Sequence, residues 1–233
     1  MQCSLYGKLP TKRDFIAIGT PREFLKVWEP WLQGGVSASR TVLAEGWQDA
    51  FLKAPIWRFW LGSNLCGRSV LGAFMPSLDG IGRYFPLTLF AVADKDAAIP
   101  PPELDAHDEW FEAAEELLMS ALDSDKSFEH ITAALEALPA PSTRLLDLVP
   151  ETMTVLTDGT VAAEPAGQNF GDVFGSMRGF RHAPVYAGTT CWWTVGGEGF
   201  EPVALCGKGM PDPYVFASML TRTFATQGRE VPA

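Results

Sequence analysis

The sequence predicts an α/β fold, a mixed and largely antiparallel sheet covered by helices. Two observations carry that reading. Short apolar runs of strand length follow one another through Gly-, Asn- and Asp-containing turns, which favours hairpin links over regular βαβ alternation. Between them lie blocks with apolar residues at helical spacing, bounded by capping residues and prolines. The chain has 233 residues, 47% of them hydrophobic, enough to bury a sizeable core. Its eight Trp and fifteen Phe belong largely inside, since a buried aromatic is worth roughly 2–3 kcal/mol.

Taken in order, a strand over 3–8 ends at Leu9-Pro10, where proline removes a ladder donor. Thr20, Pro21 and Glu23 give a helix start, with Thr20 as N-cap, Pro21 at the first helical position and Glu23 set for a capping box. Phe24, Trp28, Trp31 and Leu32 follow at helical spacing up to a break at Gly34-Gly35, after which a second helix over 39–53 carries Leu43, Trp47 and Phe51. Strands over 56–61, 69–75 and 86–93 are joined by short turns and are expected to be antiparallel neighbours. Beyond Pro100-Pro101-Pro102, an acidic helix with Asp105 as N-cap buries Trp110, Ala114, Leu117, Leu118 and Ala121. A shorter helix over 128–138 ends at Pro139 and Pro141. Residues 152–163 read as a hairpin turning at Asp158-Gly159, and 170–181 as a helix weakened by Gly171, Gly175 and Gly179. A second hairpin pairs 189–195 with 202–206, and 214–224 form a closing helix. Trp28, Trp31, Trp47, Phe74, Phe85 and Trp110 are expected in the core. The chain reads as one domain over 1–226 with a short tail at 227–233.

Composition excludes several functions. The net charge of −10, from 18 basic and 28 acidic residues, argues against a nucleic-acid backbone as ligand. Seventeen of the acids fall within 94–164, opposed only by Lys95, Lys126 and Arg144, so one face is expected to be strongly acidic. Cys3, Cys66, Cys191 and Cys206 lie in or beside apolar stretches without a partner at metal or redox spacing, and read as reduced core thiols. His107, His130 and His182 have no second histidine at i+3 or i+4, so no metal site is expected. The chain lacks a calcium loop, a G-x-S-x-G elbow and a P-loop, and no cofactor is expected. With no signal-peptide run and no apolar segment of spanning length, the protein is expected in the cytoplasm without membrane insertion.

What remains is polar groups on two loops: Lys8, Arg13 and Asp14 after the first strand, and Asp79 and Arg83 before Phe85-Pro86. If the loops meet, Asp14 accepts from Arg83 or Asp79 pairs with Lys8, giving a fixed polar patch at one sheet edge. Otherwise these are solvated loop charges.

The same loops carry a family resemblance. Gly7, Lys8, Leu9, Pro10, Asp14 and Phe15 match G-K-L-P-x-x-G-D-F, and Pro76, Ser77, Asp79, Gly82, Arg83, Phe85, Pro86 and Leu87 match P-S-x-D-x-x-G-R-x-F-P-L. With Trp192-Trp193, the chain resembles the TagF (ImpM) family of bacterial type VI secretion from Leu5 to about Leu220. Arg13 departs from the pattern where the family has glycine; if that position needs φ > 0, the loop has shifted or gained a contact. The resemblance implies a three-layer α/β/α sandwich and a non-enzymatic, posttranslational negative regulator that binds Fha, the forkhead-associated scaffold protein of the apparatus. Lys8, Arg13, Asp14, Asp79 and Arg83 are the candidate partner-binding residues. A structural part of the secretion machine, or an enzyme built around Asp14, Asp79 and Arg83, are the competing readings.

Overall fold

The structure, a computed structural model, describes residues 1–145, 152–163 and 170–224. The expected tail at 227–233 and the acidic residues Asp147, Glu151 and Glu164 lie outside them. Strands β1 (Cys3–Gly7) and β2 (Ile16–Ile18) precede the long helix α1 (Arg22–Leu43) and the shorter α2 (Trp47–Lys53). Next come β3 (Trp57–Leu61), the single turn α3 (Ser63–Cys66), β4 (Val70–Met75), β5 (Leu87–Val92) and the two-residue β6 (Ala97–Ala98). Helices α4 (Asp108–Ser120) and α5 (Phe128–Ala137) lead to β7 (Arg144–Leu145), which pairs with β6, and to the hairpin of β8 (Met153–Val155) and β9 (Val161–Ala163). There follow α6 (Phe170–Phe180), α7 (His182–Val185), the hairpin of β10 (Thr189–Thr194) and β11 (Val203–Lys208), and α8 (Val215–Thr221).

Seven strands form one sheet in the order β11-β10-β3-β4-β5-β1-β2, and every neighbouring pair in it is antiparallel. Side chains alternate across it. Trp57, Phe59 and Leu61 of β3 meet α1 and α8, whereas Trp60 meets the layer of α4 and α5. Because both faces of the centre are covered, β3, β4 and β5 are buried at every position, which is why they read as unbroken apolar runs. The result is the three-layer α/β/α sandwich.

The two layers differ in chemistry. On the α1 side, Trp28 stacks on Phe24, Phe59 and Trp192, and its Nε1 donates to the Thr88 hydroxyl at 3.0 Å. On the α4 side, Trp110, Phe111, Ala114, Leu117 and Leu118, with Ile131 and Leu135 of α5, pack on small and aliphatic sheet residues such as Leu71, Ala73, Leu87 and Leu89. All six rings expected in the core are buried.

Four expectations need correction. Thr20 does not cap α1: Pro21 occupies the cap, and the Thr20 hydroxyl donates to the carbonyls of Leu5 and Ile18, so its polar group fastens β1 instead. Gly34-Gly35 does not break the helix either. A Cβ on Gly35 would lie 2.8 Å from the Phe216 ring, so glycine serves a close helix–helix approach there. The break falls at Ala44, with φ +46. Asp105 does not cap α4, which starts later behind His107; the Asp105 carboxylate accepts the His107 backbone N–H at 2.9 Å one turn earlier. Finally, only Cys3 and Cys66 are buried thiols, while Cys191 is half-buried and Cys206 exposed.

Candidate functional site

The two motif loops meet where β1 and β4 both end. The registers of β1 and β4 on β5 bring those ends to the start of β5, and Gly7 makes the junction tight. With φ +137, it would hold a Cβ 2.2 Å from the Pro86 carbonyl oxygen, so only glycine fits. One residue on, the Lys8 carbonyl accepts from the Ser77 hydroxyl at 2.8 Å. The Gly80 backbone N–H donates in the same direction, from the second loop to the Lys12 carbonyl of the first, also at 2.8 Å.

Asp79 sits at the centre, fully buried. Its Oδ2 accepts from Lys8 Nζ at 2.8 Å and from Arg83 Nε at 2.6 Å. Its Oδ1 accepts the backbone N–H groups of Ile81 at 3.1 Å and Arg83 at 2.9 Å. Burial alone would raise the carboxyl pKa, but the Lys8 ammonium, the Arg83 N–H and guanidinium and the Ile81 N–H outweigh it, and the group is held well below the usual carboxylate range. Lys8 is itself buried, so each charge removes the desolvation problem of the other. The aromatic end of the loop packs beside them, with Lys8 Nζ 5.1 Å from the Phe15 ring centre and Phe15 edge-on to Phe85 at 4.8 Å.

Of the two pairings open from sequence, Asp79 with Lys8 forms. Asp14 with Arg83 does not, because the Arg83 guanidinium is engaged by Asp79 and by the Arg13 carbonyl. Asp14 and Arg13 point outward as exposed side chains. Arg13 is not among the residues with positive φ, so its side chain brings no backbone strain to the family's glycine position. The contact that this position makes with the site is through its backbone carbonyl, which accepts from Arg83.

The arrangement has clear chemical limits. A carboxylate saturated by four donors inside the protein is neither a free base nor an open ligand; its work is to hold two loops in one shape. What the loops expose is a mixed rim: Phe15 and Ile81, 49% and 58% accessible, beside Arg13, Asp14 and the outer edge of Arg83. The apolar pair was not singled out from sequence, although both residues sit inside the motifs. On the far layer, Glu109, Glu112 and Glu116 are exposed at helical spacing along α4, whereas Glu115 turns inward to bond the buried Arg58. Among the described residues no group of three or more His, Cys, Asp or Glu is placed to hold a metal ion, and no helix is long and apolar enough to cross a membrane.

Comparison with known proteins agrees with the loop motifs. Residues 4–138 match the profile of the TagF N-terminal domain, described as type VI secretion system-associated. The chain is similar to the crystal structure of PA0076 from Pseudomonas aeruginosa PAO1, with 28% identity, a TM-score of 0.80 and full coverage of both chains. A comparison with curated proteins returned no match.

Proposed function

The chain belongs to the TagF family of type VI secretion system-associated proteins, and from that premise we propose that it is a cytoplasmic, non-enzymatic accessory protein that lowers secretion by binding the forkhead-associated scaffold Fha. The observation that carries the binding part is the closed state of the motif site. Asp79, the one buried carboxylate of the motif, has its acceptors taken by Lys8, Arg83 and two backbone N–H groups, so the polar chemistry of the loops builds a fixed surface rather than a reactive one. In this reading Lys8 and Asp79 position the loops, and Arg13, Asp14 and Arg83 with Phe15 and Ile81 meet the partner. The apolar pair supplies buried area and the charges orient it.

Titration of the purified chain with purified scaffold tests this directly. Binding is expected to weaken with salt, and Arg13→Glu with Asp14→Lys should reduce it at least tenfold while leaving the fold intact. Reversal of Glu109, Glu112 and Glu116 reports on the acidic helix in the same assay. Wild-type binding by both variants removes both faces from the proposal. Secretion that is unchanged when the protein is overproduced removes the regulatory role.

A further inference from the structure

The outer hairpin holds a second chemistry that the motif site does not use. Cys191 of β10 and Cys206 of β11 are direct cross-strand partners, with Sγ atoms 3.7 Å apart. They lie on the sheet face that α4 and α5 cover, Cys191 packed at the margin of that layer and Cys206 exposed beyond it. The thiols border an apolar groove of about 370 Å³ with Pro102, Ala106 and Trp193. Cys206 is exposed and Cys191 half-buried, while the other two cysteines, Cys3 and Cys66, are buried elsewhere in the core.

We infer that Cys191 and Cys206 form a reversible dithiol–disulfide site that reacts with small-molecule disulfides of the glutathione type. The geometry needs no movement of the backbone. Directly opposed residues of an antiparallel pair have Cα atoms about 4.5–5.5 Å apart, inside the roughly 4.4–6.8 Å span that a disulfide bridges. Side-chain rotation closes the remaining gap between the sulfurs.

The order of events follows from exposure. The Cys206 thiolate attacks one sulfur of the small disulfide, forming a mixed disulfide and expelling one small thiolate, which takes up a proton. The Cys191 thiolate then attacks Cys206 Sγ, closing the ring disulfide and expelling the second small thiol. Two protein thiols are oxidised and one small disulfide is reduced to two thiols, so electrons and protons balance. Cys191 is the second attacker because burial, and then its neighbour Cys206, push its thiol up to about 12. Converting Cys206 to a mixed disulfide removes the neighbouring thiol's share of that shift. An exposed pair of this kind is expected to be readily reduced again.

The sequence offers a clean readout, since no Lys or Arg lies between His182 and Lys208 and trypsin leaves both cysteines on one peptide. The reduced full-length protein is incubated with glutathione disulfide, quenched in acid, alkylated, digested and weighed. The expected product is peptide 182–208 lighter by two hydrogens, carrying no alkyl group and no glutathione, with Cys3 and Cys66 still alkylated and full recovery of thiols by dithiothreitol. In Cys191→Ser, Cys206 should stop at the glutathione adduct; in Cys206→Ser, Cys191 should stay largely unreacted. A wild-type protein that stops at the mixed disulfide, or that keeps both thiols under conditions oxidising a model dithiol, overturns the site. Because the deciding measurement is on the wild-type chain, it stands even where a serine variant folds poorly.

Discussion

The motif end of the sheet and its outer hairpin treat polar groups in opposite ways. Where β1 and β4 end, Asp79 is buried and every acceptor is taken, so charge is used to fix a shape while Phe15 and Ile81 are left outside. At β10–β11 the backbone pairing is regular, and one face carries Cys191 and Cys206 side by side, the first half-buried and the second exposed. In the first region, losing either Lys8 or Asp79 strands the other as a buried charge. The second is more open: Cys206 is exposed, and Cys191 and Trp193 are only partly covered where they meet the α4 side of the core. The proposed partner-binding rim, at the ends of β1 and β4, and the proposed thiol site, on β10 and β11, thus lie on one sheet.

The largest test of this contrast is Asp79→Ala. Removing the carboxylate leaves Lys8 buried and unpaired and orphans the N–H groups of Ile81 and Arg83, so urea unfolding should show a loss of about 3–5 kcal/mol. Cys206→Ala on the outer hairpin should change stability by no more than about 0.5 kcal/mol. Similar losses at the two sites would erase the distinction.

Acid titration sharpens the same point. Asp79 is depressed in the folded state, so its contribution is fully present above the unfolded carboxylate pKa of about 3.9 and drains away as pH falls from there toward the folded value. Stability measured against pH should fall steeply below about pH 4 in the wild type. Asp79→Asn, already weaker at neutral pH because its amide turns donors toward Lys8 and Arg83, should lack one proton's worth of that slope. Equal slopes would show that the buried ion pair is absent in solution.

The hairpin's own contact with the helical layer is smaller. Trp193 meets Phe111 of α4 edge-on, with ring centres 5.2 Å apart, and this ring pair joins the hairpin to the helix beside the thiols. A double-mutant cycle with Phe111→Leu and Trp193→Leu should return a coupling of about 0.5–1.5 kcal/mol. A coupling near zero would leave β10 and β11 held by the sheet and the α1-side core alone.

The difference between the two regions also governed what could be read in advance. The motif loops were legible because turn residues and charges sit next to strand ends, and that local composition located Lys8, Asp79 and Arg83 together. Which pair formed was not legible: Asp14 and Asp79 have the same charge, and only the turn geometry that aims two backbone N–H groups at Asp79 selects it. The thiol pair was legible in principle. Counting outward from the turn that links 189–195 with 202–206 sets Cys191 opposite Cys206, but reading each cysteine by sequence spacing alone hid the register. The glycines failed for a related reason. Gly34-Gly35 carries a breaker signature, yet the helix passes through because Phe216, far along the chain, needs the missing Cβ. Tertiary demands of this kind leave no local mark.

The smallest expected effect concerns the one departure from the family's motif. Arg13→Gly restores the family residue, and two outcomes separate two physical pictures. If arginine were strained there, glycine would relieve the backbone and stabilise the protein. The structure argues for the reverse: Arg13 is not among the residues with positive φ, its side chain is exposed, and its contribution to the site is a carbonyl that any residue supplies to the Arg83 guanidinium. Glycine then adds only freedom to the unfolded chain, and the variant should lose about 0.4–1 kcal/mol in urea unfolding. A gain in stability would mean that this position takes positive φ in solution, and that the Arg83 bond to this carbonyl is too weak to set its path.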